Sequence, residues 1–160
     1  MSERAQTLAA RFDQANNDLI VVLEGCTAEQ WRMPCVDEER PIGVVAHHVA
    51  GAHRAVADWI RALVAGEPLP GLTHDDIDAL NARQAARHTD PTQDETIQFV
   101  RTAGAEASAF VAGLTDEQLA RSGSMPLWGE QPLTADQVIR HVLIAHITGH
   151  LKSIQRTLAG

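Results

Sequence analysis

Apolar residues recur every three or four positions through four long stretches of this chain, and sustained alternation is absent, so the pattern predicts helices. The first stretch runs from Ser2 to about Leu23, with Leu8, Phe12, Leu19, Val22 and Leu23 at helical spacing and Gly25 ending it. Thr27 then caps a single turn, TAEQW, with Glu29 and Gln30 near its third position, and Met33-Pro34 breaks that turn before a charged loop, DEER. Pro41 opens the second long helix, where its missing N–H costs nothing, and Gly66 closes it. Its stripe of Ile42, Val45, Val49, Ala52, Val56, Trp59 and Leu63 is spaced 3, 4, 3, 4, 3 and 4, a seam for packing against other helices. Residues 66–91 form a crossover in which Thr73 caps a shorter helix and Asp90-Pro91 stops it. The third long helix follows Thr92 and runs to Gly113, with small residues that allow close approach. The fourth spans Thr134 to Leu158, with Thr134 as N-cap and Asp136 in its first turn.

The chain also echoes itself. VLEGCTAEQW at 22–31 aligns with VAGLTDEQL at 111–119, Met33-Pro34 with Met125-Pro126, and each copy leads into a histidine-bearing helix. A capped turn after a helix stop is common enough to arise twice independently. Taken as a repeat, it predicts two helical hairpins joined by the crossover, with the second and fourth long helices facing each other across a pseudo-twofold axis.

Candidate chemistry lies on those two helices. With His146 at zero on a wheel of about 100° per residue, Ile139 falls at about +20°, Leu143 at about +60°, Val142 at about −40° and His150 at about +40°. His146 and His150 therefore face inward, whereas His141, at about −140°, points to solvent. Imidazoles at i and i+4 can grip one metal ion, although an isolated pair of this kind is more often a pair of core histidines. On the second helix His47 lies opposite the stripe, and His48 and His53 flank it at about 60° to 80°, so periodicity leaves either as a third ligand. A histidine from that helix joining the pair inside a bundle would leave one coordination position open, the mark of a catalytic site, with imidazoles suiting zinc, nickel or iron.

Composition narrows the class. The 160 residues are 44% hydrophobic and 21% charged, which suits one all-α domain spanning residues 1–160. A net charge of −8 argues against nucleic acid or an anionic membrane as partner. MSERAQTLAARF is not a secretory leader and no apolar run reaches the length of a membrane span, so a cytoplasmic protein is expected. Cys26 and Cys35 match no common zinc spacing and are read as ordinary thiols.

GVVAHHVAGAH and AHITGHLKSI, the latter in the form His-x-x-x-His-Leu-x-x-Ile, resemble the two signature segments of the DinB-like metalloprotein superfamily, which includes the N-terminal domain of mycothiol-dependent maleylpyruvate isomerase. The resemblance extends over nearly the whole chain, including the DAL-N-A segment of the crossover. It implies an up-down-down-up four-helix bundle, often a homodimer, with a divalent metal, zinc or nickel, on His48, His146 and His150, and with His53 as a flanking residue. The chain ends at Gly160 without the second domain of the maleylpyruvate isomerases, so isomerase activity is not expected. Lys152 stands where the related domain of sulfoxide synthases has Glu, which disfavours that chemistry too.

What the resemblance then implies is a metal-dependent thiol S-transferase, in which a low-molecular-weight thiol fills the open position beside an electrophile. An Ala-rich composition with Arg over Lys suits a high-GC source, where mycothiol is the expected thiol. The alternatives are a non-catalytic metal-stabilised binding module, a metal-hydroxide hydrolase, and a metal-free bundle with core histidines. Asp78 and Asn81 could reach the mouth of the site, and Trp128 could cover a pocket, but a solvated helix face and end-packing are their ordinary roles, as end-packing is for Trp31. Asp37, Glu38 and Glu39 read as a solvated loop with no function.

Overall fold

The computed structural model describes residues 2–160, and they form a bundle of four long helices. These are α1 (Glu3–Glu24), α3 (Ile42–Ala65), α5 (Gln93–Ala112) and a last helix over residues 135–159. Two short turns, α2 (Ala28–Trp31) and α6 (Asp116–Ala120), follow α1 and α5, and α4 (His74–Arg87) lies in the crossover. Among the described residues no helix is long and apolar enough to cross a membrane.

The helix starts are where side-chain caps require them. The side chains of Thr27, Thr73, Thr115 and Thr134 each accept from the backbone N–H three residues on, and their own backbone N–H groups donate back to the side-chain oxygens of Gln30, Asp76, Gln118 and Gln137, a full capping box in every case. The two halves match beyond the caps. After α2 the chain makes an antiparallel bridge between Pro34 and Pro41, and after α6 it makes a two-stranded ribbon of β1 (Ser122–Gly123) and β2 (Leu133–Thr134), a feature periodicity does not reveal.

Helix order differs from the hairpin expectation. α1 packs on α5 and on the last helix, and α3 packs on the same two, so the long helices within each half, α1 with α3 and α5 with the last helix, are diagonal rather than adjacent. α1 and α5 are antiparallel, because Gln93 Nε2 donates to the Leu23 carbonyl near the end of α1 while Asn16 donates to Val100. α3 and α5 are parallel, since His47 meets Phe99, Arg54 meets Glu106 and Arg61 meets Phe110. Arg4 at the start of α1 pairs with Asp136 at the start of the last helix, 2.6 Å apart. The sense is therefore up-down-down-up, and it places α3 beside the last helix, as the pseudo-twofold reading requires.

That last helix is not uniform. Ala135–Val138 (α7) is α-helical, Ile139–Ile144 is π-helical, and Ala145–Ala159 (α8) is α-helical again. A π turn fits about one extra residue into the helix and rotates everything downstream by about 100°. The buried face beyond it is centred on Ile147, Leu151 and Ile154, so His146 and His150 sit on its flank, turned towards α3, and not at its centre.

His53 belongs to the core. It is 1% exposed, its Nε2 lies 2.8 Å from Asn16 Oδ1, and Asn16 passes a further bond to the Val100 carbonyl. Gly104 makes room for this pair, because a Cβ there would lie 2.2 Å from Asn16 Nδ2. Gly104→Ala is expected to destabilise the fold by roughly 1–3 kcal/mol, and most of that loss should vanish in an Asn16→Ala background; urea denaturation of the four variants measures the coupling. Burial lowers the His53 pKa to about 4, so the unfolded chain takes up a proton near pH 6.5 that the folded one refuses. Stability should therefore fall by about 3 kcal/mol through this group between pH 6.5 and 4, and denaturation profiles of His53→Gln should be flatter over that range.

Candidate metal centre

Three imidazoles meet where α3 faces α8. His48 Nε2 lies 3.0 Å from His146 Nε2, which lies 3.1 Å from His150 Nε2, and the three ligand atoms all fall within 4.8 Å of one another. These are the three histidines that the family resemblance implies, and His53 is not among them. Burial and the charges of the neighbouring imidazoles push His146 down to about 2. Burial and His150, with Arg40 and His47 adding, likewise hold His48 at about 4. Both are neutral at pH 7, the form in which imidazole is a ligand.

The donor set suits a divalent ion. Three neutral imidazoles pointing Nε2 at one another cannot all be satisfied by hydrogen bonds among themselves, because each ring carries only one proton. His146 Nδ1 is moreover buried with no partner. An ion about 2.0–2.1 Å from each nitrogen would set ligand separations of roughly 2.9–3.4 Å, from right-angled to tetrahedral, which brackets the two short separations.

The charged loop is not a solvated bystander. Cys35 N–H donates to the Arg40 carbonyl at 2.8 Å, and Glu39 turns the chain with φ of 58°, so residues 35–40 form a tight return. It is fastened to α8 at three points: Val36 N–H to Thr157 Oγ1 at 3.0 Å, Asp37 to Arg156, and Glu38 Oε1 to His150 Nδ1 at 2.7 Å. Burial alone would raise the Glu38 carboxyl, but His150, Ser153 and His48 outweigh it and lower the pKa. The carboxylate thus fixes the proton of His150 on Nδ1 and leaves Nε2 free to bind, as outer carboxylates do for ligating histidines. Glu38 was missed because its role depends on a turn and a long-range contact; its one sequence signal is lying ten residues before His48 in a loop bounded by prolines.

Beside the trio opens a cavity of about 610 Å³, whose wall includes His48 and His146. Its apolar lining comes from Val44, Trp59, Leu80, Phe99, Leu127 and Val142. α4 closes it from the crossover: Leu80 and Asn81 reach the cavity, while Asp78 is exposed and does not line it. His47 is not directed into solvent as the wheel implied, being half-buried and stacked on His88 with ring centroids 4.1 Å apart. His141 is exposed as expected. Trp128 packs partly buried against the core while Leu127 beside it lines the cavity, and Trp31 is an end-packing residue that donates to the Pro91 carbonyl at 2.8 Å.

The histidine-lined bundle has known counterparts. The model of the DinB superfamily matches residues 11–154, and the chain belongs to that superfamily. A search of curated protein sequences returns no match. Among solved structures, YfiT from Bacillus subtilis, described as a probable metal-dependent hydrolase with an unusual four-helix bundle topology, is 17% identical with a TM-score of 0.78, over 98% of this chain and 87% of that one. The mycothiol-dependent maleylpyruvate isomerase is 9% identical with a TM-score of 0.74, over 96% of this chain but 63% of that one. The colibactin self-resistance protein ClbS, solved in complex with a dsDNA, is 11% identical with a TM-score of 0.75, over 96% of this chain and 94% of that one. At these identities the likeness is one of fold alone.

Ala substitution of His48, His146 or His150 should each abolish retention of about one divalent ion per chain, whereas His47→Ala and His141→Ala should keep it, with elemental analysis of untagged protein as the measurement. Glu38→Gln should keep the ion but weaken its affinity by roughly 10–100-fold in a chelator competition.

Proposed function

We propose that this protein is a metal-dependent enzyme, a low-molecular-weight-thiol S-transferase whose divalent ion is held by His48, His146 and His150. One observation carries the proposal: two of the three histidines form part of the wall of a substrate-sized, mostly apolar cavity, so the side of the ion not taken by protein faces a place where substrate can sit. Among the described residues no fourth His, Cys, Asp or Glu completes the cluster, which disfavours a purely structural ion in a metal-stabilised binding module. The isomerase neighbour, described as mycothiol-dependent, supports a small thiol such as mycothiol as the first candidate.

When bound, a divalent ion supplies the charge that lets a coordinated thiol lose its proton at neutral pH. The chain's own residues do the rest. Burial keeps His48 and His146 unprotonated, and Glu38 holds His150 in the tautomer with Nε2 bare. Val44, Phe99 and Leu127 keep water from the reacting atoms and offer an apolar surface to the electrophile. Overall the reaction exchanges a carbon–leaving-group bond for a carbon–sulfur bond, with the thiol proton and the leaving group released.

A hydrolase is the second reading, because the cavity beside His48 and His146 can admit water to the ion as well as a thiol. The YfiT description points the same way for that relative.

Cobalt-loaded protein separates the two. Adding mycothiol, bacillithiol or a simple surrogate should produce a sulfur-to-metal charge-transfer band and release about one proton per site, since a free thiol of pKa near 8.5 is mostly protonated at neutral pH. His150→Ala should remove the band. A spectrum that no thiol perturbs would leave the hydrolase as the better account.

A further inference from the structure

The cavity that adjoins the histidine trio has a charge pattern opposite to that of the protein. The chain carries 21 acidic and 13 basic residues, yet no Asp or Glu lines this cavity, whereas Arg40, His47 and His88 do. Arg40 is the unusual one. Eight arginines pair with carboxylates. Of the rest, Arg11, Arg83 and Arg87 are exposed, and Arg40 alone is half-buried with no side-chain partner among the described residues.

Its position is fixed and not incidental. Arg40 closes the loop that carries Glu38: its carbonyl accepts from Cys35 N–H at 2.8 Å, and the Pro34–Pro41 bridge holds the base of that loop. A guanidinium cannot shed its proton, so a partly desolvated one beside apolar walls is costly until an anion meets it. Its planar fork matches a carboxylate through two parallel hydrogen bonds. One fixed cation with two imidazoles suits a single negative charge, and Trp59, Leu80 and Phe99 suit an apolar or aromatic body.

We propose that the substrate filling this cavity is an amphipathic carboxylate, held by its carboxylate on Arg40 and by its apolar body between α3 and α4. The proposal rests on the enzyme reading above and names the class of its electrophilic partner. Arg40 sets specificity, with His47 and His88 as further hydrogen-bond donors to the same group.

The test uses the zinc-loaded full chain and three probes of equal shape: 4-phenylbutyrate, its neutral amide and the corresponding amine, titrated by calorimetry. The carboxylate should bind roughly tenfold or more tightly than the amide, the gain a charge-assisted bond provides, and the amine most weakly. Arg40→Lys should keep part of the preference, and Arg40→Gln should lose it while binding the amide as the natural protein does, which also reports that the cavity is intact. Equal binding of carboxylate and amide, a preference that survives Arg40→Gln because the ion itself takes the carboxylate, or no binding of any probe at millimolar concentration would each overturn the proposal. The thiol band of the natural cobalt-loaded protein keeps the two readings apart: its absence while the carboxylate preference is intact defeats the transferase and not the anion site.

Discussion

Three imidazole nitrogens, His146 Nε2 lying 3.0 Å from His48 Nε2 and 3.1 Å from His150 Nε2 in a desolvated crossing, are the constraint around which this bundle is arranged. Protonating them would gather like charges where there is little water to screen them, so the surroundings must keep the rings neutral and their bare nitrogens convergent. Burial supplies the first condition, through the low pKa of His48 and His146. The second needs three devices from distant parts of the sequence. The π segment turns His146 and His150 towards α3, Glu38 fixes the proton of His150, and the diagonal connections bring α3 beside α8 in the first place. His53 shows the contrast within one helix. Its buried ring is held by Asn16, whereas His48, His146 and His150 turn their Nε2 atoms on one another.

Much of this was legible from spacing and capping chemistry. Four threonine caps and the Gly66 stop delimit the elements because each is a local interaction of a few residues. The trio was legible in part: i, i+4 spacing gave the His146–His150 pair, but periodicity could not separate His48 from His53, since both flank the same seam. What separates them is which neighbouring helix each flank meets, a property of topology. His53 faces α1 and Asn16, and His48 faces α8.

The misses share that origin. The repeat in the sequence is real as a structural echo, with matched capped turns and matched antiparallel bridges, yet it does not make hairpins. Its connections of ten and fourteen residues, between α2 and α3 and between α6 and α7, carry each chain across the bundle end to the diagonal position. A uniform wheel places Ile139, Leu143 and His141 correctly but sets His146 and His150 near the centre of the buried face, because it takes no account of the π segment Ile139–Ile144, which single-sequence periodicity cannot distinguish from a slightly wide stripe. Glu38 reads as a surface charge because three consecutive acidic residues ordinarily are solvated; only the fastening of its loop to Thr157, Arg156 and His150 changes its environment.

Function and rigidity are distributed unequally in this architecture. The histidines stand on α3 and α8, whose inner faces are locked by Val45, Val49, Ile60, Ile147 and Ile154, so the nitrogens that must converge are set by the best-packed part of the molecule. The opposite wall of the cavity is α4, a helix with no buried residue that packs chiefly on α3 and is joined on one side by a Gly- and Pro-rich segment. Few apolar contacts mean a low free energy of local opening, so exchange of cavity contents can proceed through α4 without disturbing the histidine geometry. A metal placed solely to tie helices together would gain nothing from such a wall. Under the proposed enzyme reading, a wall of this kind beside the three histidines gives the site one rigid boundary and one that yields.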